Sequence, residues 1–402
     1  MQKEKKKLCI ATLDPFNGGG VFSMVDFFYP HAKNKYDPSI VYNLLPGFRS
    51  GFFDVSLVKF LLGSRPKVVR ENVFHMKGIG IQRVFPLFEF LNYVFNLDKW
   101  KEVFGEFDIF FALGGANIVA MPFALLGKDF SIWVASTLYE DRIDRIKKEP
   151  FLRKIRNLIS LPFLLVIEKY VFKKAKKILT ISNYTKGSIL KKYPFVENKI
   201  ETVFYPIDTD FFKPAIIGSA GERYILFTGR ITDERKNIRL LIKAFSLLPS
   251  EFKDIKLKLV GRLPFDDLIT LCRGLGIEKR VEFPGFLKKE DFLLAYQGAS
   301  LFVIPSFQEG LCISGLEAMA CGIPVVSTKC GGPEDFVIDG VNGFLCENDN
   351  INDISKKILH FFTIGEEERK KMSTNARNYI LDNHNQLKIW DKLGGVLDDE
   401  NE

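Results

Sequence analysis

Residues Leu301–Thr328 read LFVIPSFQEGLCISGLEAMACGIPVVST. LFVIPS and PVVST are short apolar runs of strand type, and the segment from Ile313 between them has helical character. Strand, loop, helix and second strand in that order form the repeating unit of a parallel sheet with helices on its faces. Two carboxylates interrupt the pattern: Glu309 stands beside Gly310, and Glu317 follows eight residues on, in an otherwise apolar helix. A buried unpaired charge costs several kcal/mol. Each acid therefore needs a partner, and that partner is the clue to what the segment does.

The same alternation runs outward in both directions. In the first half the strand candidates are LCIATL, SIVYNLL, FDIFFAL, SIWVAST and KILTIS, separated by helical stretches such as Val21 to Lys33 and Asn117 to Leu126. Periodicity lapses between Tyr205 and Glu222, a Pro/Gly/Asp-rich stretch that reads as a linker. RYILFTG then restarts the pattern, followed by KLKLVG, VEFPGF, LFVIPS, PVVST and GFLCE, with helices beginning near Asn237, Phe265, Lys289, Ile313 and Ile351. In KEDFLLAYQGAS, Phe292, Leu293 and Tyr296 share one apolar face and Gly298 ends the helix. With 402 residues the chain is too long for one ordinary domain. The reading is α/β, with two Rossmann-like, doubly wound domains over residues 1–207 and 222–379 and a linker over 208–221. Ligand crevices lie at the carboxyl ends of the strands, and domains facing each other open them into one cleft.

The formal net charge is +8. Its densest basic run is RIKKEPFLRKIRNLISLPFLLVIEKYVFKKAKK, Arg145 to Lys177, where basic residues flank an apolar centre. This reads either as a core helix pair with solvated basic faces or as a segment lying on an anionic membrane surface. No nucleic-acid module is present, so nucleic acid is not an expected partner. No run approaches the roughly 18 apolar residues that span a bilayer. MQKEKKKLCIATL reads as a lysine-led first strand rather than a leader, because its apolar run stops at Asp14 and Pro15. The six cysteines show no C-x-x-C pairing and sit mostly in apolar runs, as reduced core residues of a cytoplasmic protein do. The four scattered histidines suggest no metal site.

Three loops of the second half suit a phosphate-bearing ligand. In FTGRITDERKN a strand ends at Gly229, and Arg230, Arg235 and Lys236 precede a helix. A guanidinium fork matches phosphate oxygens, and a lysine near a helix N-terminus adds charge where the dipole already favours anions. After LFVIPS, the amides of Gly310, Leu311, Cys312 and Ile313 open a helix and can meet phosphate or hydroxyl oxygens. Glu309 and Glu317 would repel phosphate unless they face uncharged parts of the ligand; a sugar ring on one side and a ribose on the other satisfy that. In STKCGGPEDF, Gly331 and Gly332 allow close backbone approach to a ligand. In the first half, DPFNGGGVF places Gly18, Gly19 and Gly20 at a helix start. The spaced third glycine and downstream acid of a nicotinamide fingerprint are missing, which disfavours a dehydrogenase.

Asp14-Pro-Phe-Asn-Gly-Gly-Gly, Gly229-Arg230 with Lys236-Asn237, and above all Glu309-x7-Glu317 followed by AMACGIPVVST resemble the retaining nucleotide-sugar glycosyltransferases of family 4, with the GT-B fold. The resemblance is strong over Tyr224 to Glu347 and thinner over the first 210 residues. It implies transfer of a sugar from a nucleotide-diphosphate sugar to a glycan or lipid-linked acceptor, in cell-surface polysaccharide or glycolipid synthesis. By it, Arg230 and Lys236 hold the donor diphosphate, Glu309 the sugar and Glu317 the ribose. The amides of Gly310, Leu311, Cys312 and Ile313 meet sugar and phosphate, those of Gly19 and Gly20 meet the diphosphate, and Phe286 and Leu287 lie beside the base. No cofactor and no metal are implied, because Arg and Lys do the neutralising. The resemblance also implies that helix 380–402, with Trp390, packs back on the first domain, and that the basic helix sits at the inner face of the cell membrane.

Many such enzymes carry a sugar-contacting histidine after the strand equivalent to SIWVAST, where this chain has Thr137, Leu138 and Tyr139. Asp208 to Asp210, DTD, mimics a metal-binding D-x-D but matches a turn. Two rivals share the same features: a GT-B phosphorylase or sugar-phosphate synthase, and a non-catalytic nucleotide-sugar-binding protein.

Overall fold

The computed structural model describes residues 4–17, 20–44, 66–85, 89–138, 151–215, 223–262 and 265–399. The chain forms two compact units, one of Met1–Phe204 with Ile389–Glu402 and one of Tyr205–Lys388.

The first unit is built on an eight-stranded sheet, with β1 (Lys7–Thr12), β2 (Asp37–Leu44), β3 (Val68–Val73), β4 (Met76–Gln82), β5 (Ile109–Gly114), β6 (Ser131–Val134), β7 (Ile178–Thr180) and β8 (Ile200–Thr202) in the order β3-β4-β2-β1-β5-β6-β7-β8. All neighbours pair in parallel except β3 and β4, an antiparallel pair at the edge. The five strands read from the sequence are present; β3, β4 and β8 are additions. VVRENV is mostly accessible, MKGIGIQ carries two glycines, and IET is three residues long, so none presents a clean apolar run.

Helix α1 (Gly20–Lys33) follows β1. Phenylalanines fill the core beside the sheet: Phe104, Phe110, Phe123 and Phe130 form a chain of rings with centroids 4.8 to 5.6 Å apart. Helices α2 (Glu89–Phe95), α3 (Leu97–Phe104) and α4 (Met121–Leu125) cover the region. The described part of the basic segment forms one helix, α5 (Phe151–Lys174), that runs through Pro162; residues 145–150 lie outside the described residues. Helix α6 (Asn183–Lys192) follows β7, its N-terminus capped by Ser182.

The second unit carries β9 (Tyr224–Thr228), β10 (Lys256–Val260), β11 (Val281–Gly285), β12 (Leu301–Ile304), β13 (Val325–Thr328) and β14 (Gly343–Cys346), all parallel, in the order β11-β10-β9-β12-β13-β14. All six match the sequence reading. The central β9, β12 and β13 are buried along their whole length, which is why they appear as uninterrupted apolar runs. Helices α7 (Ile238–Ser246), α8 (Asp266–Gly274), α9 (Lys289–Gln297), α10 (Ile313–Ala320), α11 (Ile351–Thr363) and α12 (Glu366–Asn383) complete it. Within this unit strand order reverses between β9 and β12, and ligands of doubly wound sheets bind at the carboxyl ends of the strands flanking such a reversal.

The DTD segment forms a turn: the Asp208 carboxylate accepts hydrogen bonds from the amides of Asp210 and Phe211 at 3.2 and 3.0 Å. Arg377 on α12 holds the adjoining backbone by donating to Phe212 O and Thr209 O. The last helix, α13 (Gln386–Asp399), places Trp390 against Phe28 and His31 of α1, with centroids 5.6 and 5.3 Å apart. All six cysteines are free and buried.

Candidate functional site

The loop after β9 sorts its cations. Arg235 is committed to Asp233, donating from Nε to Oδ1 at 3.1 Å and from Nη2 to Oδ2 at 2.8 Å. Burial raises the Asp233 pKa, but Arg235 and then Arg230 outweigh it and bring it down to about 2. Arg230 touches Asp233 only loosely, at 3.3 Å, and its side chain is 70% exposed. Lys236 turns inward. Its side chain is 14% exposed, and Nζ donates to Glu309 Oε1 at 2.6 Å. Burial opposes the ammonium charge, yet Glu309 and smaller contributions win, and the Lys236 pKa lies above the ordinary lysine value. Of the two basic neighbours, Lys236 is therefore the one beside Glu309. Asn237 follows in the left-handed region, at φ 48°, and starts α7.

Three loops meet at Glu309. Its Oε1 also accepts from Ser306 Oγ at 2.6 Å, and Ser306 is in turn held by Thr328 Oγ1, which donates to the Ser306 carbonyl at 2.6 Å. The Phe307 amide donates to Arg235 O at 2.8 Å, joining the β12 loop to the β9 loop. The amides of Glu309 and Gly332 donate to Cys330 O and Glu309 O, both at 2.8 Å, joining it to the β13 loop. A Cβ on Gly332 would lie 2.4 Å from Gly310 O and Leu311 Cα. The closeness that glycine permits there is used by the chain's own backbone. Cys312 sits at φ 72°, costing about 1–3 kcal/mol for a residue with a side chain. Its side chain makes no cap hydrogen bond at the start of α10, where the Gly315 amide donates to the Cys312 carbonyl at 3.0 Å.

Glu317 lies in the second turn of α10 and is partly accessible. Tyr296 of α9 donates from its hydroxyl to Glu317 Oε2 at 2.8 Å, and Tyr296 lies 2.6 Å from Thr228 Oγ1 at the end of β9. Desolvation raises the Glu317 pKa to about 7 although the Tyr296 hydrogen bond opposes it. Each acid of the opening segment thus has its partner: Lys236 for Glu309, Tyr296 for Glu317. Past β11, Phe286 is exposed and Leu287 partly so, with the Arg262 guanidinium 5.4 Å from the Phe286 ring centre.

Sequence reading missed Ser306, Thr228 and Arg262, and took Tyr296 for an apolar-face residue; the hydroxyls at the carboxyl ends of β9 and β12 were the available signal. Gly20 opens α1 in the first unit, while Gly19 lies outside the described residues, as does Tyr139. Thr137 and Leu138 are buried, and the Leu138 amide donates to the buried Glu168 carboxylate at 2.6 Å. Among the described residues no group of three or more His, Cys, Asp or Glu side chains is arranged to hold a metal ion.

Residues 208–379 match the family model described as glycosyl transferases group 1. The chain is 28% identical over 246 residues to an uncharacterized glycosyltransferase of Methanocaldococcus jannaschii, covering 56% of this chain and 65% of that protein. It is 32% identical over 197 residues to O-antigen chain mannosyltransferase B of Escherichia coli, covering 46% and 51%. The chain thus spans between half and two thirds of the length of these curated relatives. The structure of Anabaena HepE in complex with UDP superposes with a TM-score of 0.74 at 17% identity, over 98% of this chain and 100% of that one. With two parallel-sheet Rossmann-like units, the chain has the GT-B fold, and the match to the glycosyl transferases group 1 model falls within its second unit.

Proposed function

We propose that the chain is a retaining glycosyltransferase that moves a sugar from a nucleotide-diphosphate sugar to a glycan or lipid-linked acceptor in cell-surface polysaccharide or glycolipid synthesis. The observation that carries this is the Lys236–Glu309 pair beside the uncapped start of α10, where strand order reverses. Lys236 has further N–H donors for the diphosphate, and Arg230, exposed and loosely held, adds a second cation. Together they neutralise the departing nucleotide, so the reading needs no metal. Glu309 Oε1 takes Ser306 and Lys236, leaving Oε2 for a sugar hydroxyl. The amides from Gly310 to Ile313 meet sugar and phosphate, Glu317 the ribose, and the backbone at Phe286 and Leu287 the base. The bond from the anomeric carbon to the phosphate oxygen breaks, the acceptor oxygen bonds to that carbon on the same face, and its proton passes to the leaving phosphate. Similarity to an O-antigen mannosyltransferase supports the polysaccharide setting.

A thermal-shift panel of UDP, GDP, ADP, their sugar conjugates and sugar phosphates tests this. One nucleotide series is expected to stabilise the protein, by about 2.7 kcal/mol at 100 times Kd, and its sugar conjugate to be turned over or slowly hydrolysed. Stabilisation by sugar phosphates or inorganic phosphate alone points to a phosphorylase or sugar-phosphate synthase. Nucleotide-sugar binding with no turnover points to a binding protein.

Helix α5 supports contact with the cytoplasmic face of an anionic membrane. Ile155, Leu158, Ile159, Phe163, Val166 and Tyr170 recur at helical spacing and are exposed, flanked by Lys154, Lys169, Lys173 and Lys174. No helix among the described residues is long and apolar enough to cross a membrane. The protein is expected to co-sediment with vesicles containing anionic lipid and not with neutral ones, and Leu158→Glu/Phe163→Glu to abolish this. Equal recovery on both vesicle types, or from the variant, overturns the contact.

A further inference from the structure

We infer that Tyr296, itself oriented by Thr228, is a positioning residue that aims the Glu317 carboxylate at the ribose; this rests on the reading above that Glu317 meets the ribose. Tyr296 is completely buried. Its ring is caged by Phe212 and Phe292, edge-on at 5.8 and 5.0 Å, and by Phe302, stacked at 6.0 Å. The hydroxyl therefore has one place to be. A phenol has one proton, and here it goes to Glu317 Oε2, so the phenol oxygen accepts from the Thr228 hydroxyl. The donors run one way: Thr228 to Tyr296 to Glu317. That direction suits an ionised Glu317, which only accepts.

A carboxylate that grips a vicinal diol must present both oxygens in the plane of the two hydroxyls. Glu317 has rotatable bonds of its own, and holding it in one rotamer costs side-chain entropy. The caged phenol meets that cost before the ligand arrives. Thr228 also precedes Gly229 and Arg230, so the same chain of hydrogen bonds ties the acid to the loop proposed for the diphosphate.

Tyr296→Phe keeps the ring and removes the donor. The probes are UDP, GDP and ADP with their 2′,3′-dideoxy counterparts, and the readout is the affinity ratio of ribo to dideoxy nucleotide. Wild type is expected to prefer the ribonucleotide at least tenfold. In Tyr296→Phe ribonucleotide affinity falls about fivefold to tenfold while dideoxy affinity stays within twofold, a pattern that general loosening of the fold does not produce. Glu317→Ala should erase the preference. If wild type discriminates and Glu317→Ala does not, but Tyr296→Phe keeps the full ratio, the inference fails and the functional reading survives. If wild type shows no preference, or Glu317→Ala retains it, Glu317 does not grip the ribose and both fail. Should Tyr296→Phe not fold, Thr228→Val provides the second arm, with a smaller loss confined to the ribonucleotide; an unchanged ratio there overturns the proposal.

Discussion

Lys236→Met is expected to lower donor turnover by about 10²–10³-fold and to weaken binding of the nucleoside diphosphate with it. The lysine is the cation of the β9 loop that reaches Glu309, because Arg235 is committed to Asp233 and Arg230 points largely into solvent. Charge that develops on the leaving diphosphate is stabilised most by a donor already in place and shielded from water. Lys236 meets both conditions: 14% exposed and fixed by Glu309, it stays protonated well beyond neutral pH. Methionine nearly matches its length, so packing is kept and only the charge and its hydrogen bonds are lost. Glu309 is then left with Ser306 alone in a largely desolvated place, at a stability cost of about 3 kcal/mol. The double variant Lys236→Met/Glu309→Gln should recover most of that cost without recovering turnover. Steady-state kinetics and urea unfolding of the three proteins check both parts. Turnover of Lys236→Met within threefold of wild type would sink the assignment.

How far the sequence reached depends on what each feature costs. Strands buried on both faces must be apolar throughout, and β9, β12 and β13 of the second unit were legible for that reason. The β3–β4 pair was not, because an edge pair with one accessible face and glycines at Gly78 and Gly80 meets no such demand. At the site, the need of Glu309 and Glu317 for partners was readable from the cost of burying charge. The partners were not: Lys236 is 73 residues from Glu309 and Tyr296 is 21 from Glu317, and only the sheet order brings them together. The choice between Arg235 and Lys236 likewise needed Asp233 in place. Nor does any local pattern announce the left-handed Cys312, whose conformation is imposed by the loops meeting at Gly332.

Glu309→Gln separates the two halves of the donor. The glutamine carbonyl still accepts from Ser306 and Lys236, so the loop keeps its shape. What disappears is a negative charge and one acceptor, replaced by an amide that donates. For the sugar this is a loss: a hydroxyl that donated to Oε2 now faces a donor, and an unmatched polar contact in a desolvated pocket costs on the order of 1–3 kcal/mol. Lost stabilisation of the transition state adds to it, and kcat/KM for the nucleotide sugar is expected to fall about 10²-fold or more. For the diphosphate the sign is opposite. Glu309 repels phosphate and occupies one donor of Lys236, so neutralising it should leave nucleoside diphosphate affinity unchanged or raise it by a few-fold. Calorimetry with the nucleoside diphosphate, set beside transfer rates with its sugar conjugate, reads the two signs on one protein. A parallel fall in both would mean that Glu309 only shapes the loop. Divergence, with the nucleotide held and the sugar lost, places the acid at the sugar end and the lysine at the phosphate.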